Sequence, residues 1–433
     1  MSAQLVAIEH PETELFSLDE VIYTSPVSGS LLEIQLTEGL PDAASLKRLW
    51  RERRMSNDPL DRSGVWRYRE LLPFWPDFRN VVTLSEGNTP VLDAPHAAEF
   101  AGLRAIQFKH QGYNPTGSFK DNGMTCGVAQ ARHLGMKRVA CVSTGNTSAS
   151  MAAYASAGGL QPIIFIPNGN IAYGKLAQAL EYGARTLQVD ANFDEILALV
   201  RVLAERLGIY LLNSINPFRI EGQKTIMVEL MDQLDWQVPD WVVLPGGNLG
   251  NTAAFGKGFR EMVAAGLITK VPRLAVIQAE GSAPFAELYR NGADTLVPNP
   301  KPETLATAIR IGDPVSWPKA VQCIRDTRGV VESVTEQEIA DAKATIGRCG
   351  IGCEPASAAT LAGVRKLVKA GTIQPEDRVV AVLTGHVLKD PDYVYRYHTE
   401  SLDDPKGNRI ESRYANKPTV VPNDPDVIAD LLG

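Results

Sequence analysis

Four short segments carry residue types that could do chemistry together. In Asn114-Pro-Thr-Gly-Ser-Phe-Lys-Asp121 a helical stretch follows through Gly135, which places Lys120 near a helix N-terminus. The positive end of the helix dipole disfavours an ammonium there, and a lysine held neutral is a nucleophile or Schiff-base former. An ordinary solvated lysine has the same spacing. Ser143-Thr-Gly-Asn-Thr-Ser148 offers hydroxyls, a glycine and an amide ahead of a helix, a cradle for a carboxylate or phosphate or simple N-capping. In Pro245-Gly-Gly-Asn-Leu-Gly-Asn-Thr252, Gly246, Gly247 and Gly250 let backbone N–H groups approach a phosphate, or supply a tight turn. No Gly-Lys-Ser/Thr follows and the spacing misses Gly-x-Gly-x-x-Gly, so a compact monophosphate fits better than a nucleoside triphosphate or a dinucleotide. In Leu383-Thr-Gly-His386 the Thr384 hydroxyl could meet a ring nitrogen or an anion, or form a turn. One cofactor uses all four features: pyridoxal phosphate, which needs a Schiff-base lysine and a phosphate site.

Holding such loops in place takes a rigid frame. From about Val81 onward, short apolar runs alternate with amphipathic stretches. Arg138–Val142, Pro162–Ile166, Trp241–Leu244, Leu274–Ile277 and Arg378–Leu383 read as strands buried on both faces, each bounded by Gly, Pro or Asn. Among the helices, Asn192 and Glu195 have capping-box spacing. An apolar stripe of Ile196, Leu199, Val200, Leu203 and Leu207 then runs to Gly208, expected as core. Strand–helix alternation over about 300 residues predicts an α/β fold with parallel sheets. In such folds ligands sit at the carboxyl ends of strands. The first 80 residues differ in texture, with a basic helical stretch from Leu46 to Arg54 and prolines around Trp75. The tail after Leu402, rich in Asp, Asn, Lys and Pro, reads as a surface wrap or mobile segment.

The 433 residues suggest two or three compact units. At 44% hydrophobic and 21% charged the chain can bury a sizeable core, which excludes disorder. The net charge of −7 argues against nucleic acid as a partner. No apolar run approaches the roughly 20 residues that span a bilayer, and Met1 to Glu12 has no signal-peptide core. Five scattered cysteines read as reduced thiols of a cytoplasmic protein. Cys349 and Cys353 lack two more nearby ligands and no His-Glu-x-x-His occurs, so no metal is expected.

Taken together, the motifs resemble those of threonine synthases, in the fold-type-II family of pyridoxal-phosphate enzymes. The resemblance runs from about Gly64 to His386 through Ser85-Glu-Gly-Asn-Thr-Pro90, the lysine loop, Ser143 to Thr147 and Asn213-Ser-Ile-Asn-Pro-Phe-Arg-Ile-Glu-Gly-Gln-Lys-Thr225. It continues through Gly246 to Asn251, Ile311-Gly-Asp-Pro-Val315, Glu354-Pro-Ala-Ser-Ala358 and Thr384-Gly-His386. The specific signal is Asn213 to Thr225, since dehydratases and cysteine synthases lack it.

That resemblance implies a tryptophan synthase β-like architecture of two parallel-sheet α/β domains, one nested in the other. The expected layout is an N-terminal extension (1–80), a large cofactor domain (81–124 and 221–402), a small substrate-side domain (125–220) and a C-terminal tail (403–433). By similarity Lys120 binds the cofactor covalently and shuttles substrate protons. Gly247, Asn248, Leu249, Gly250 and Asn251 hold the cofactor phosphate, Asn146 the ring hydroxyl and Thr384 the ring nitrogen. Ser143, Thr144 and Thr147 take the substrate α-carboxylate, while Asn213 and Arg219 take its phosphate, for which a guanidinium offers a bidentate match. The implied reaction is O-phospho-L-homoserine plus water to L-threonine plus phosphate, in a cytoplasmic homodimer.

Two departures stand out. Asn122 follows the Lys-Asp pair where relatives often have Arg. Ser25-Pro-Val-Ser28-Gly29 keeps the spacing of a cysteine knuckle without thiols. The competing expectations are a sister enzyme and a non-catalytic cofactor-binding homologue. A threonine dehydratase has no use for an Arg219 cradle, whereas a cysteate synthase could keep it for phosphoserine. The intact Lys120, Asn146 and glycine loop argue against the non-catalytic reading.

Overall fold

The computed structural model of the protein describes residues 3–37, 39–74, 77–169, 173–191 and 193–433. The short apolar runs form two parallel sheets. Across the larger, the order is Val330–Val334, Arg273–Ala279, Trp241–Pro245, Val379–Leu383, Ile106–His110 and Val91–Asp93. All neighbours are parallel except the last pair. Alternation along each strand explains the unbroken apolar runs. Trp241 and Val243 enter one core and Val242 and Leu244 the other; Val379, Ala381 and Leu383 likewise face away from Val380 and Val382. Helices Glu336–Arg348 and Pro355–Lys369 cover one face, and Pro217–Gln233 and Gly250–Ala264 the other.

The smaller sheet has the order Arg185–Val189, Gln161–Pro167, Arg138–Val142 and Ile209–Leu211, all parallel. It too is covered on both faces, with Val139 and Cys141 in one core and Ala140 and Val142 in another. Asn192 of the expected capping box lies outside the described residues, as does Trp75. The helix Phe193–Leu207 stops before Gly208, whose φ of +60° suits glycine. Its stripe is narrower than expected: Ile196 and Val200 are buried, but Leu199 and Leu207 are 41% and 51% exposed. Leu199 sits about 60° around the helix from Ile196, and Leu207 lies in the final turn.

Residues before Val81 contribute a three-stranded antiparallel sheet that sequence patterning did not show, with Ala3–Ala7 between Leu15–Phe16 and Leu32–Leu36. The helix Ala43–Arg53 sinks Leu46 and Trp50 into the core that holds Met227 and Phe255. An ion pair from Arg54 to Asp232 at 2.6 Å adds a second tie. At the knuckle-spaced serines, Ser25 and Ser28 both donate to the Glu14 carboxylate, so hydrogen bonds close that turn. All five cysteines are free. Among the described residues no helix is long and apolar enough to cross a membrane.

Candidate active site

Three adjacent strands of the larger sheet deliver three of the four loops. Trp241–Pro245 leads into the glycine loop, Val379–Leu383 into Thr384, and Ile106–His110 into the segment ending at Lys120. In the smaller sheet Arg138–Val142 leads to Ser143 and its neighbour Ile209–Leu211 to Asn213 and Arg219. All five are carboxyl ends of parallel strands, where α/β sheets bind ligands.

Lys120 is the first residue of the helix Lys120–His133. Its pKa is lowered to about 7, first by desolvation and then by the Arg219 charge, with Glu354 opposing. A substantial fraction is therefore neutral at physiological pH, as a nucleophile requires. The loop before it is fixed from several sides. The Phe119 N–H donates to the Thr384 carbonyl at 3.0 Å and the His386 N–H to the Gly117 carbonyl at 2.9 Å. Asp121 accepts from the Thr116 N–H at 2.7 Å, the Thr116 hydroxyl at 2.6 Å and the Ser150 hydroxyl at 2.5 Å. The motif at 85–90 supports the same loop, with the Gly87 N–H donating to Asn114 at 2.8 Å and Gln111 donating to the Thr89 hydroxyl at 2.8 Å.

Besides the helix that begins at Lys120, where Phe119 makes no cap bond, two helix N-termini at these loops have no side-chain cap. Asn146–Ala157 starts after Gly145 and Gly250–Ala264 after Leu249, and neither preceding residue makes a cap hydrogen bond. By contrast, Asn216 caps Pro217–Gln233 and Thr335 completes a capping box on Glu336–Arg348. The Ser143 hydroxyl turns to the Gly145 N–H at 3.2 Å instead of capping. First-turn N–H groups without intrahelical partners, at the positive dipole end, are suited to anions. In the glycine loop a Cβ on Gly247 would stand 3.1 Å from the Ala308 carbonyl oxygen, and Leu249 takes the left-handed conformation at φ +61°. Asn248 uses its side chain as a tether, donating to the Ser214 hydroxyl at 2.5 Å and accepting from the Val315 N–H at 2.7 Å. The Asn251 amide oxygen accepts from Gln223 at 2.9 Å.

Asn146 and Thr384 converge on one carboxylate. Asn146 donates to Glu354 Oε2 at 2.9 Å and Thr384 to Oε1 at 3.2 Å. Ser357 Oγ accepts from the N–H groups of Thr384 and Gly385 at 2.8 and 3.0 Å and lies 3.0 Å from the Thr384 hydroxyl. Sequence reasoning quoted Glu354 and Ser357 in a motif but gave neither a task. The available signal was a glutamate at the residue before a helix-opening proline, a poor N-cap; it makes no cap bond here.

Arg219 is 1% exposed, with one N–H donating to the Leu212 carbonyl at 3.1 Å and a buried Nε that has no partner. Asn213 bridges Val142 through its N–H and carbonyl, both at 3.3 Å, beside Ser143. Ser143 and Thr147 are half-buried and Thr144 is exposed. A cavity of about 420 Å³ opens here, lined among others by Asn114, Thr116, Asn146, His386 and Lys389.

A reactive lysine, two uncapped helix ends and a hydroxyl–carboxylate relay at the ends of neighbouring parallel strands define a cofactor-dependent α/β enzyme. The family model of pyridoxal-phosphate dependent enzymes matches residues 82–385, and the chain belongs to that family. Threonine synthase from Methanocaldococcus jannaschii is 47% identical over 388 residues, covering 89% of this chain and 93% of the relative. That from Methanosarcina acetivorans is 49% identical over 380 residues, covering 88% and 91%. The solved threonine synthase structure from Escherichia coli shares the fold, with a TM-score of 0.68 at 18% identity and 99% of both chains covered. The architecture is fold-type-II α/β and the cofactor is pyridoxal phosphate.

The residues present fit that group. A low-pKa lysine, an uncapped helix start behind a tightly packed glycine, and polar side chains from two further loops would supply its attachment, phosphate site and ring contacts.

Proposed function

We propose that the chain is a threonine synthase, converting O-phospho-L-homoserine and water to L-threonine and phosphate. The observation that carries this reading is Arg219, a buried guanidinium with an unpartnered Nε whose charge acts on Lys120. It supplies an anion site beside the reactive lysine and apart from the glycine loop. A substrate with only an α-carboxylate leaves one such site idle; a phosphorylated amino acid fills both. The identity of 47% and 49% to threonine synthases over about nine-tenths of the chain supports the same substrate.

Pyridoxal phosphate, when bound, supplies an electron sink for charge developing on the substrate carbons. Lys120 holds the cofactor and, with Nζ near neutrality, takes the protons from Cα and then Cβ and returns protons to Cγ and Cα. The N–H groups of Gly247, Asn248, Leu249, Gly250 and Asn251 bind the cofactor phosphate. Asn146 and Thr384 orient its ring, held in turn by Glu354. Ser143, Thr144 and Thr147 bind the α-carboxylate at the second uncapped helix start. Asn213 and Arg219 bind the substrate phosphate and stabilise its charge as it leaves Cγ. Water then adds at Cβ, with the retained phosphate as base. Residues 81–124 with 221–402 make the cofactor domain and 125–220 the substrate-side domain, between the extension 1–80 and the tail 403–433. We place the enzyme in the cytoplasm as a homodimer.

Incubating the holoenzyme separately with O-phospho-L-homoserine, with L-threonine, and with phosphoserine plus sulfite tests the substrate. Threonine with released phosphate in the first arm alone is expected. Ammonia and 2-oxobutanoate from threonine, or cysteate from phosphoserine, would replace this reading with a dehydratase or a cysteate synthase.

A further inference from the structure

A second cavity is not lined by Lys120. It holds about 590 Å³ between the helices Glu336–Arg348 and Pro391–His398 and the tail at 413–416, a volume typical of small-molecule sites. Its walls mix three tyrosines, Tyr393, Tyr397 and Tyr414, with cations, and no Asp or Glu lines it.

The cations are not equivalent. Arg413 is neutralised by Asp341 at 3.3 Å and Glu411 at 2.7 Å. His398 accepts from the Asn416 N–H at 2.9 Å. Lys343 is only 9% exposed, and its ammonium lies 5.9 Å from the centre of the Tyr393 ring. Among the described residues it has no hydrogen bond or ion pair; burial pushes its pKa down, opposed from a distance by Cys353 and by the carboxylates of Asp390 and Glu354. At the rim, Arg348 lies over Tyr414 at 5.7 Å. A buried ammonium with no hydrogen-bonded counter-ion is costly and favours an anion in contact.

We infer that this cavity binds a small organic monocarboxylate with an aromatic or apolar body. Lys343 is the counter-ion, the tyrosines pack the body and Arg348 closes the rim. One free buried cation balances one negative charge; a phosphate dianion would leave charge uncompensated inside. The site touches the catalytic loops. Gly352 and Cys353, on its wall, directly precede Glu354, and Val387 directly follows the 384–386 segment. A Cβ on Gly352 would stand 2.8 Å from Val387, so the two loops are in close packing. Occupancy therefore biases Glu354 and Thr384, and the cavity is an effector site.

The binding arm is independent of the proposed reaction. Calorimetry of the full-length holoenzyme with 3-phenylpropionate, with its neutral amide and with acetate reads it directly. Saturable binding of one phenylpropionate per chain is expected, at least about tenfold tighter than the amide or acetate. It weakens about tenfold or more in Lys343→Met and, on the exposed rim, measurably in Arg348→Glu. Saturating phenylpropionate is also expected to change the KM for O-phospho-L-homoserine at least about twofold in wild type and not in Lys343→Met. No saturable binding, equal binding of acid and amide, or binding that both variants leave unchanged would overturn the site. An unchanged KM with the site filled would overturn its coupling to the catalytic loops.

Discussion

Gly222 lies so close to Asn122 that a Cβ on the glycine would sit 1.8 Å from the Asn122 carbonyl oxygen. This contact joins the helix that begins at Lys120 to the helix that carries Arg219. Gly123 and Gly127 extend the seam, facing Arg219 and Leu212. The distance between the reactive lysine and the second anion site is therefore set by backbone packing. Asn122, where relatives often carry Arg, is fully buried, and neither atom of its amide has a partner.

Gly222→Ala is accordingly expected to spread the two helices. Overpacking of this kind costs about 1–3 kcal/mol. Thermal unfolding should show a lower Tm, and turnover should fall more than the loss of folded protein explains. An unchanged Tm and activity would mean the helices are free to shift without consequence.

Lys120 gives a pH prediction. In cofactor-free protein its pKa is lowered to about 7 from the ordinary lysine value of 10.5. The folded state thus sheds a proton that the unfolded chain keeps, so this group adds stability as pH rises from about 7 towards 10.5 and opposes folding below. Capture of pyridoxal phosphate, followed by the visible absorbance of the bound cofactor, should speed up through pH 7 and level off above it. Lys120→Ala should abolish both the band and turnover.

Arg219 acts on the same titration, because its charge helps hold the Lys120 pKa down. Arg219→Gln should move the midpoint of cofactor capture upward. It should also raise the KM for O-phospho-L-homoserine by about ten- to a hundredfold, the worth of one charged hydrogen-bonding contact. A raised KM with an unmoved midpoint would separate Arg219 from Lys120.

Glu354→Gln replaces an acceptor shared by Asn146 and Thr384 with a group that can accept at only one end. Loss of about one such bond predicts cofactor binding weaker by about tenfold, with the far-ultraviolet circular dichroism unchanged. Unaltered cofactor affinity would show that Asn146 and Thr384 find their positions without the carboxylate.

Much of this was legible in the sequence because the catalytic loops are local objects. A buried strand, a run of small polar residues and a helix start stand together in the chain, so Lys120, Asn146, the glycine loop and Thr384 could be placed at strand ends directly. What escaped were relations across the fold. Glu354 meets Asn146 from 208 residues away, and nothing in its own neighbourhood names that partner. Whether the loop at 143–148 capped its helix stayed open until the Ser143 hydroxyl was seen to serve Gly145. The stripe on Phe193–Leu207 misled because periodicity shows which side of a helix is apolar but not how wide a surface covers it. The antiparallel sheet before Val81 was missed since its strands are only two to five residues long.

The most direct test is turnover of O-phospho-L-homoserine by the holoenzyme in 18O-labelled water. The predicted products are threonine and phosphate in equal amounts, with the label in the threonine hydroxyl and none in the phosphate, because the bond broken is Cγ–O and the water adds at Cβ. Label in the phosphate with homoserine as co-product would mean hydrolysis at phosphorus and would contradict the proposed function.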